Sequence, residues 1–283
     1  MSSKLPEWLR PAVRRRPYLE SLGKELAGRG LRTVCQSARC PNLGECFSRG
    51  TATFLVLGGT CTRDCRFCAV EHGPGEAPDP EEPRRVAEAA RMLGLTFVVI
   101  TSVTRDDLAD GGAAHFSATI RAVRDFLPES RVEVLVPDFG GDREAIATVV
   151  RARPDVFGHN VETVPRLYPE VRPQAEYARS LEVLRLAGEM APEMMTKSGL
   201  MVGMGEDDDE VLAVLRDLRE VGVRAVTVGQ YLPPTRGHAP LVEYVAPEVF
   251  TRYEREAKAM GFSHARCGPL VRSSYHAEEL QQG

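Results

Sequence analysis

An α/β fold, organised as a partial (β/α)6 TIM-like barrel, is predicted by two features of the 283-residue sequence: short apolar, β-branched runs recur along it, and segments of helical period separate them. Strands that alternate with helices imply parallel pairing through right-handed crossovers. The first predicted strand, 53–57 (Thr-Phe-Leu-Val-Leu), stops at the Gly58-Gly59 pair. The runs 95–101, 132–136, 155–159, 200–202 and 225–228 supply five more, each bounded by turn or helix signals. Between them, Phe116, Ile120, Val123 and Leu127 form one apolar helical stripe, and Val211, Leu215 and Leu218 form another. The acidic run 206–210 opens the second helix, where carboxylates favour the dipole's positive end, and it lacks the spacing of a calcium loop. In such barrels the chemistry collects at the C-terminal strand ends. Attention therefore falls on 58–68, 101–107, 137–141, 159–162, 203–206 and 229–234.

Composition narrows the class. Hydrophobic residues make up 43% and charged residues 27%, with a formal net charge of -4, so neither disorder nor a general affinity for nucleic acid is indicated. No apolar run approaches the roughly 18 to 20 residues that cross a bilayer. The first 30 residues have no apolar centre of the signal-peptide kind, and a cytoplasmic, membrane-free protein is expected.

Seven cysteines cannot all pair internally, and six of them lie between Cys35 and Cys68. Clusters of this kind in a reducing compartment point to metal. Cys61, Cys65 and Cys68 have the spacing Cys-x3-Cys-x2-Cys directly after the first strand. Soft sulfur ligands select zinc or an iron–sulfur cluster over hard cations. A structural zinc wants a fourth ligand, for which only His72 is near. A 4Fe-4S cluster held by three thiolates leaves one iron open to a small molecule. Cys267 has no partner at ligand spacing and reads as a small buried residue, and Met201 and Met204 read as core.

The cysteine loop, with Phe67 before its last cysteine, resembles the signature of the radical S-adenosylmethionine superfamily. The upstream triad Cys35-x4-Cys40-x5-Cys46, the loop 59–68, the segments 159–163, 196–201 and 229–232, and the tail Arg272-Ser273-Ser274-Tyr275 together resemble the lipoyl synthase family over most of the chain.

That resemblance implies three parts: an N-terminal extension (1–50) and a C-terminal extension (246–283), which carry an auxiliary cluster, flanking a barrel (51–245). It implies two 4Fe-4S clusters. One sits on Cys61, Cys65 and Cys68, binds S-adenosylmethionine at its open iron and generates a 5′-deoxyadenosyl radical. The auxiliary cluster, on Cys35, Cys40, Cys46 and a tail serine, is the sulfur donor. Ser274 is the expected fourth ligand with Ser273 the alternative, and without the family match either reads as a turn or helix cap. The implied reaction replaces C–H bonds at C6 and C8 of an octanoyl group by C–S bonds and consumes two S-adenosylmethionine molecules. Implied partners are an octanoylated lipoyl carrier domain or H protein, a flavodoxin or ferredoxin as electron donor, and an iron–sulfur carrier that rebuilds the auxiliary cluster. Phe67, Ser102, Asn160, Glu162 and Gln230 are the expected contacts to S-adenosylmethionine, although polar strand-end residues also serve as loop anchors. Arg10, Arg14, Arg15 and Arg16 form a basic face that an acidic carrier could meet. The competing readings are a methylthiotransferase of the same superfamily and a non-enzymatic iron–sulfur electron carrier.

Overall fold

A computed structural model describes residues 5–9, 25–34, 51–275 and 277. One sheet of eight strands carries the fold, in the spatial order β1 (Arg32–Thr33), β2 (Thr51–Val56), β5 (Phe97–Ser102), β6 (Arg131–Leu135), β7 (Val156–Gly158), β8 (Met195–Val202), β9 (Ala225–Gln230) and β10 (His264–Gly268). From β2 to β10 every neighbouring pair is parallel, and β1 runs antiparallel to β2. The short β3 (Thr60–Cys61) and β4 (Glu71–His72) pair separately and bracket the cysteine loop. The expected partial barrel is therefore the fold. All six predicted strands are present, and β8 begins five residues earlier than its apolar run because it enters through Met195 and the polar stretch Thr196-Lys197-Ser198.

Helices cover the outside of the sheet. Those with both ends described are α1 (Glu82–Met92), α2 (Ala113–Phe126), α3 (Arg143–Arg151), α4 (Tyr168–Val171), α5 (Tyr177–Met190), α6 (Asp208–Glu220) and α7 (Pro247–Ala259). Phe116, Ile120 and Val123 of α2 are fully buried in a core with Val98, Ile100, Val132 and Val134. Val211, Leu215 and Leu218 of α6 are buried in a second core with Leu200, Val226 and Val228. Asp207 begins α6 with a reciprocal capping box to Glu210, so the acidic run does the helix-starting work its position suggested.

Alternate residues of each strand point inward. The registers align Thr53, Val99, Glu133, Val156 and Met195 as one inward layer, and Thr101, Leu135, Gly158, Lys197, Ala225 and His264 as the next toward the mouth. The C-terminal segment adds more than an extension: it supplies α7, the seventh parallel strand β10, and a tail that fills the lumen. The Val271 carbonyl lies where a Cβ on Gly229 would come within 2.2 Å of it, so this approach requires glycine. Ser273 then reaches Asn160, Ser274 reaches Thr53, and Ala277 is buried among Phe97, Val99 and Val156. The strand β10 went unpredicted because His264-Ala265-Arg266-Cys267-Gly268 has little apolar character.

No helix among the described residues is long and apolar enough to cross a membrane.

Candidate active site

The cysteine loop sits at the C-terminal end of β2, where Leu57 and Gly58 turn the chain through left-handed backbone conformations (φ 66° and 91°). Cys61 lies on β3, and Cys68 N donates to the Cys65 carbonyl (3.0 Å), closing a tight turn between the last two cysteines. The backbone N–H groups of Thr104 and Arg63 point at Cys61 Sγ (3.3 and 3.5 Å). Burial pushes the Cys65 thiol up and the Cys68 thiol up to about 11, and the charge of neighbouring thiols adds to both shifts. Thiols of Cys65 and Cys68 that burial keeps from ionising alone suit a site completed by a cationic iron group, and the N–H groups aimed at Cys61 Sγ suit a thiolate ligand. These residues fit a cluster held by three cysteines.

Arg63 fixes this loop to the barrel. Its guanidinium donates to both oxygens of Asp106 (2.8 and 2.8 Å), after β5, and to both oxygens of Asp138 (2.7 and 2.9 Å), after β6. Burial raises the Asp138 carboxyl, but the hydrogen bonds and charge of Arg63 overcome that and hold it at about 2. Thr62 ties the same loop to the Thr104 carbonyl through its backbone N–H (3.0 Å) and its hydroxyl (3.0 Å).

Across the mouth, Glu162 stands in a left-handed conformation (φ 66°), pinned because its N–H donates to Gly199 O and its carbonyl accepts from Met201 N. Burial raises its carboxyl and the charge of Arg172 opposes that rise. Arg66 N donates to the Val171 carbonyl (2.9 Å), which ties the cysteine loop to the segment carrying Arg172, and the Glu162 charge raises the Cys65 and Cys68 thiols. Asn160 Nδ2 donates to Glu162 Oε1 (3.1 Å) and to Ser273 Oγ (2.7 Å). Arg172 is buried under this group: its Nη1 donates to the carbonyls of Asn160 and Val161 (3.1 Å each) and to Tyr168 Oη (3.0 Å), its guanidinium lies over the Tyr168 ring, and its Nε has no partner among the described residues.

The residues expected from sequence separate into groups. Cys61, Cys65, Cys68, Asn160, Glu162 and Ser273 converge at the mouth. Ser102 Oγ, at the end of β5, is buried without a partner among the described residues. Phe67 packs against the second core and anchors the loop. Ser274 lies lower in the lumen, accepting from Thr53 Oγ1 (2.9 Å). Cys35, Cys40 and Cys46, and the arginines at 10 and 14–16, lie outside the described residues. Gln230 is corrected. Its Nε2 donates to the carbonyls of Val202, Tyr231 and Glu243 (3.0 to 3.1 Å) and its Oε1 accepts from Val245 N (2.8 Å), so its amide is consumed in stapling the loop after β9 and is not free for a ligand. Cys267 is half-buried on β10, its thiol pushed up to about 12 by burial. Sequence reasoning missed Arg63, Asp106, Asp138, Arg172 and His238. The first three lie in or beside the strand-end windows it had marked, whereas Arg172 and His238 carried no local signal.

A cysteine loop capping the first parallel strand of a partial barrel defines a radical S-adenosylmethionine enzyme, and the Radical SAM superfamily model matches residues 55–230. Among solved structures, methylornithine synthase superimposes with a TM-score of 0.57 at 14% identity, over 97% of this chain and 87% of the other. SuiB from Streptococcus suis, bound to its precursor peptide, gives 0.61 at 10% identity over 95% of this chain and 57% of the other. These likenesses establish the fold. The lipoyl synthase of Rubrobacter xylanophilus is 57% identical over 97% of this chain and 85% of its own length. That of Caldanaerobacter subterraneus subsp. tengcongensis is 56% identical over 98% and 97%. The chain belongs to the lipoyl synthase family. It is accordingly a sulfur-inserting radical enzyme that uses S-adenosylmethionine and 4Fe-4S clusters.

Proposed function

We propose that the chain forms the lipoyl cofactor by inserting sulfur at C6 and C8 of an octanoyl group held in amide linkage on a lysine of a lipoyl carrier domain or H protein, with both sulfurs taken from an auxiliary 4Fe-4S cluster. The observation that carries this reading is that the cysteine loop and the serine tail are both tied to the segment 160–172, the loop through Arg66 N on the Val171 carbonyl and the tail through Ser273 on Asn160. When bound to Cys61, Cys65 and Cys68, the radical cluster supplies the electron that cleaves S-adenosylmethionine. The chain's own part is positional. Arg63 holds the loop to the barrel, and Asn160, Glu162 and Ser102 offer polar groups to the cosubstrate.

The auxiliary cluster is a substrate in this scheme, held by Cys35, Cys40, Cys46 and Ser274. The fold supports Ser274 over Ser273. Thr33 pairs with Phe54, so Thr53 is the next position along β2, and Ser274 is bonded to Thr53; in the sequence, Cys35 follows Thr33 by two residues. Ser273 faces the opposite wall at Asn160. A hydroxyl oxygen is a harder ligand than thiolate and leaves iron more readily as sulfide is withdrawn. The two extensions, 1–50 and 246–283, are thus two arms that bring auxiliary ligands to one barrel. A flavodoxin or ferredoxin as reductant, an iron–sulfur carrier for rebuilding, and a cytoplasmic location complete the proposal.

The test is a division of labour. Ala at Cys61, Cys65 or Cys68 should abolish 5′-deoxyadenosine formation, whereas Ala at Cys35, Cys40 or Cys46 should leave cleavage detectable and abolish lipoyl product. Lipoyl product at normal yield from an auxiliary-triad variant would sink the donor assignment.

A further inference from the structure

The segment that follows β9 returns to the cysteine loop from the far side of the barrel. Its base is pinned by the Gln230 amide, whose bonds to Val202, Glu243 and Val245 hold both ends of residues 231–245. From this base it touches the last turn of the cysteine loop twice. Ala239 N donates to the Arg66 carbonyl (2.7 Å), and His238 Nε2 lies 3.0 Å from the Cys68 carbonyl. Tyr231 Oη donates to the Ala239 carbonyl (2.9 Å) and fixes the height of the contact.

Both ring nitrogens of His238 are held by neighbours. The Cys68 carbonyl can only accept, so Nε2 must carry a hydrogen. Thr235 Oγ1 accepts from Gly237 N (3.2 Å) and lies 2.8 Å from His238 Nδ1. A hydroxyl on Nδ1 and a carbonyl on Nε2 hold the ring at both nitrogens and fix its orientation, which is how a residue behind a ligand fixes that ligand.

We infer that His238, oriented by Thr235, is a positioning residue for the radical cluster: it holds the Cys68 peptide from outside the loop and so sets the orientation of the third thiolate and the field at the iron group it binds. The inference rests on the assignment of that cluster to Cys61, Cys65 and Cys68. Hydrogen bonding around a cluster and its access to solvent tune its reduction potential. His238 controls both, because the open groove beside Cys68 is lined by His238, Thr235, Arg66 and His72.

The experiment uses the full-length protein, anaerobically reconstituted, as wild type and as His238→Leu, His238→Gln, Thr235→Val and Cys68→Ala. Leucine fills space without donating, and glutamine can place an amide N–H near the Nε2 position. Iron and sulfide content, the midpoint potential of the S-adenosylmethionine-responsive cluster, and the change in its electron paramagnetic resonance spectrum on adding S-adenosylmethionine are read for each. His238→Leu should keep full iron and sulfide yet shift the potential, alter the S-adenosylmethionine-induced spectrum and slow cleavage by about tenfold, the low end for an outer partner of a metal ligand. His238→Gln should return all three toward wild type, and Thr235→Val should shift them in the same direction as leucine by less. Wild-type potential and spectrum in His238→Leu, or equal defects in Leu and Gln, would overturn the inference. If the leucine variant does not fold, Thr235→Val decides, a shift supporting and an unchanged spectrum refuting. Cys68→Ala separates the two layers: if the S-adenosylmethionine-responsive signal survives there, the cluster assignment itself has failed, whatever His238 does.

Discussion

The mouth of the barrel and the lumen below it are built from the same strands and treat polar groups in opposite ways. At the mouth, Leu57, Phe139 and Glu162 are non-glycine residues in left-handed conformations, and buried polar atoms of Ser102, His159, Thr163 and Arg172 have no partner among the described residues. Toward the other end, Glu133 of β6 and Lys197 of β8 are 1% and 4% exposed and form two contacts with each other, 2.9 and 3.0 Å, across the inward face of β7. Strain and unmet hydrogen bonds cost free energy and persist only where the surroundings impose them. Among the described residues three of the four left-handed non-glycine residues lie at the mouth, so strain marks where a ligand is to be received. Unpartnered polar atoms occur also at Arg131, Arg224 and His264 at the opposite strand ends, and the interior pair serves the scaffold.

Breaking the interior pair is the largest perturbation available. Lys197→Met would leave Glu133 buried with no counter-charge, and burial already drives that carboxyl upward against the pull of Lys197. Loss of one partner from such a pair costs about 3–5 kcal/mol, whereas replacing both by apolar residues of similar volume is often neutral. Urea unfolding should therefore show severe destabilisation in Lys197→Met and recovery of most of it in Glu133→Leu/Lys197→Met. A single variant as stable as wild type would mean that the lumen admits water there, and the contrast with the mouth would collapse.

A smaller perturbation sharpens the contrast at the tail, which passes from one region into the other. Gly229→Ala places a methyl 2.2 Å from the Val271 carbonyl with no demand for an unusual φ, so the strand survives and the tail must give way. Overpacking of this kind costs about 1–3 kcal/mol. Because Ser273 and Ser274 lie just beyond, lipoyl formation should fall more than S-adenosylmethionine cleavage does. Equal loss of both activities would show that the tail supports the whole mouth rather than the sulfur-donating half.

These contrasts explain what the sequence makes legible. Periodicity reports burial against an apolar partner, so the six strands and the stripes of α2 and α6 appear in it directly. The cysteine loop is legible for another reason: its ligands are local, and spacing alone encodes them. Asp106, Asp138 and His238 reach their partners in the loop from 43 to 170 positions away in the chain, and nothing near them in sequence announces that meeting. Gln230 misled because a polar residue at a strand end has the same appearance whether it faces a ligand or, as here, four backbone groups. Periodicity does not show the lumen-filling tail, whose inward residues are serines and alanine, small enough to follow the inside of the barrel and too polar to register as core; the family resemblance alone draws attention to Ser273 and Ser274.

The last prediction concerns pH and tests whether an unmet group at the mouth costs what its burial implies. His159 is 2% exposed; its Nδ1 donates to the Val136 carbonyl (2.8 Å) and its Nε2 meets no partner among the described residues. Burial, reinforced by the positive charge of Arg172, lowers its pKa from 6.5 to about 4. The folded protein therefore binds this proton less readily than the unfolded chain does. Stability linked to His159 is complete above pH 6.5 and is lost as pH falls from 6.5 toward 4, at up to about 1.4 kcal/mol per pH unit. Burial also lowers His264 and raises Glu133, Glu162 and Glu206, so the contribution of His159 is read as the difference between wild type and variant over pH 6.5 to 5. His159→Asn keeps a donor for Val136 in an uncharged side chain and should flatten the stability profile in that interval, with little change at pH 8. An asparagine variant that loses stability as steeply as wild type between pH 6.5 and 5 would show that His159 is hydrated in solution, and that the mouth is less dry than its unpartnered atoms indicate.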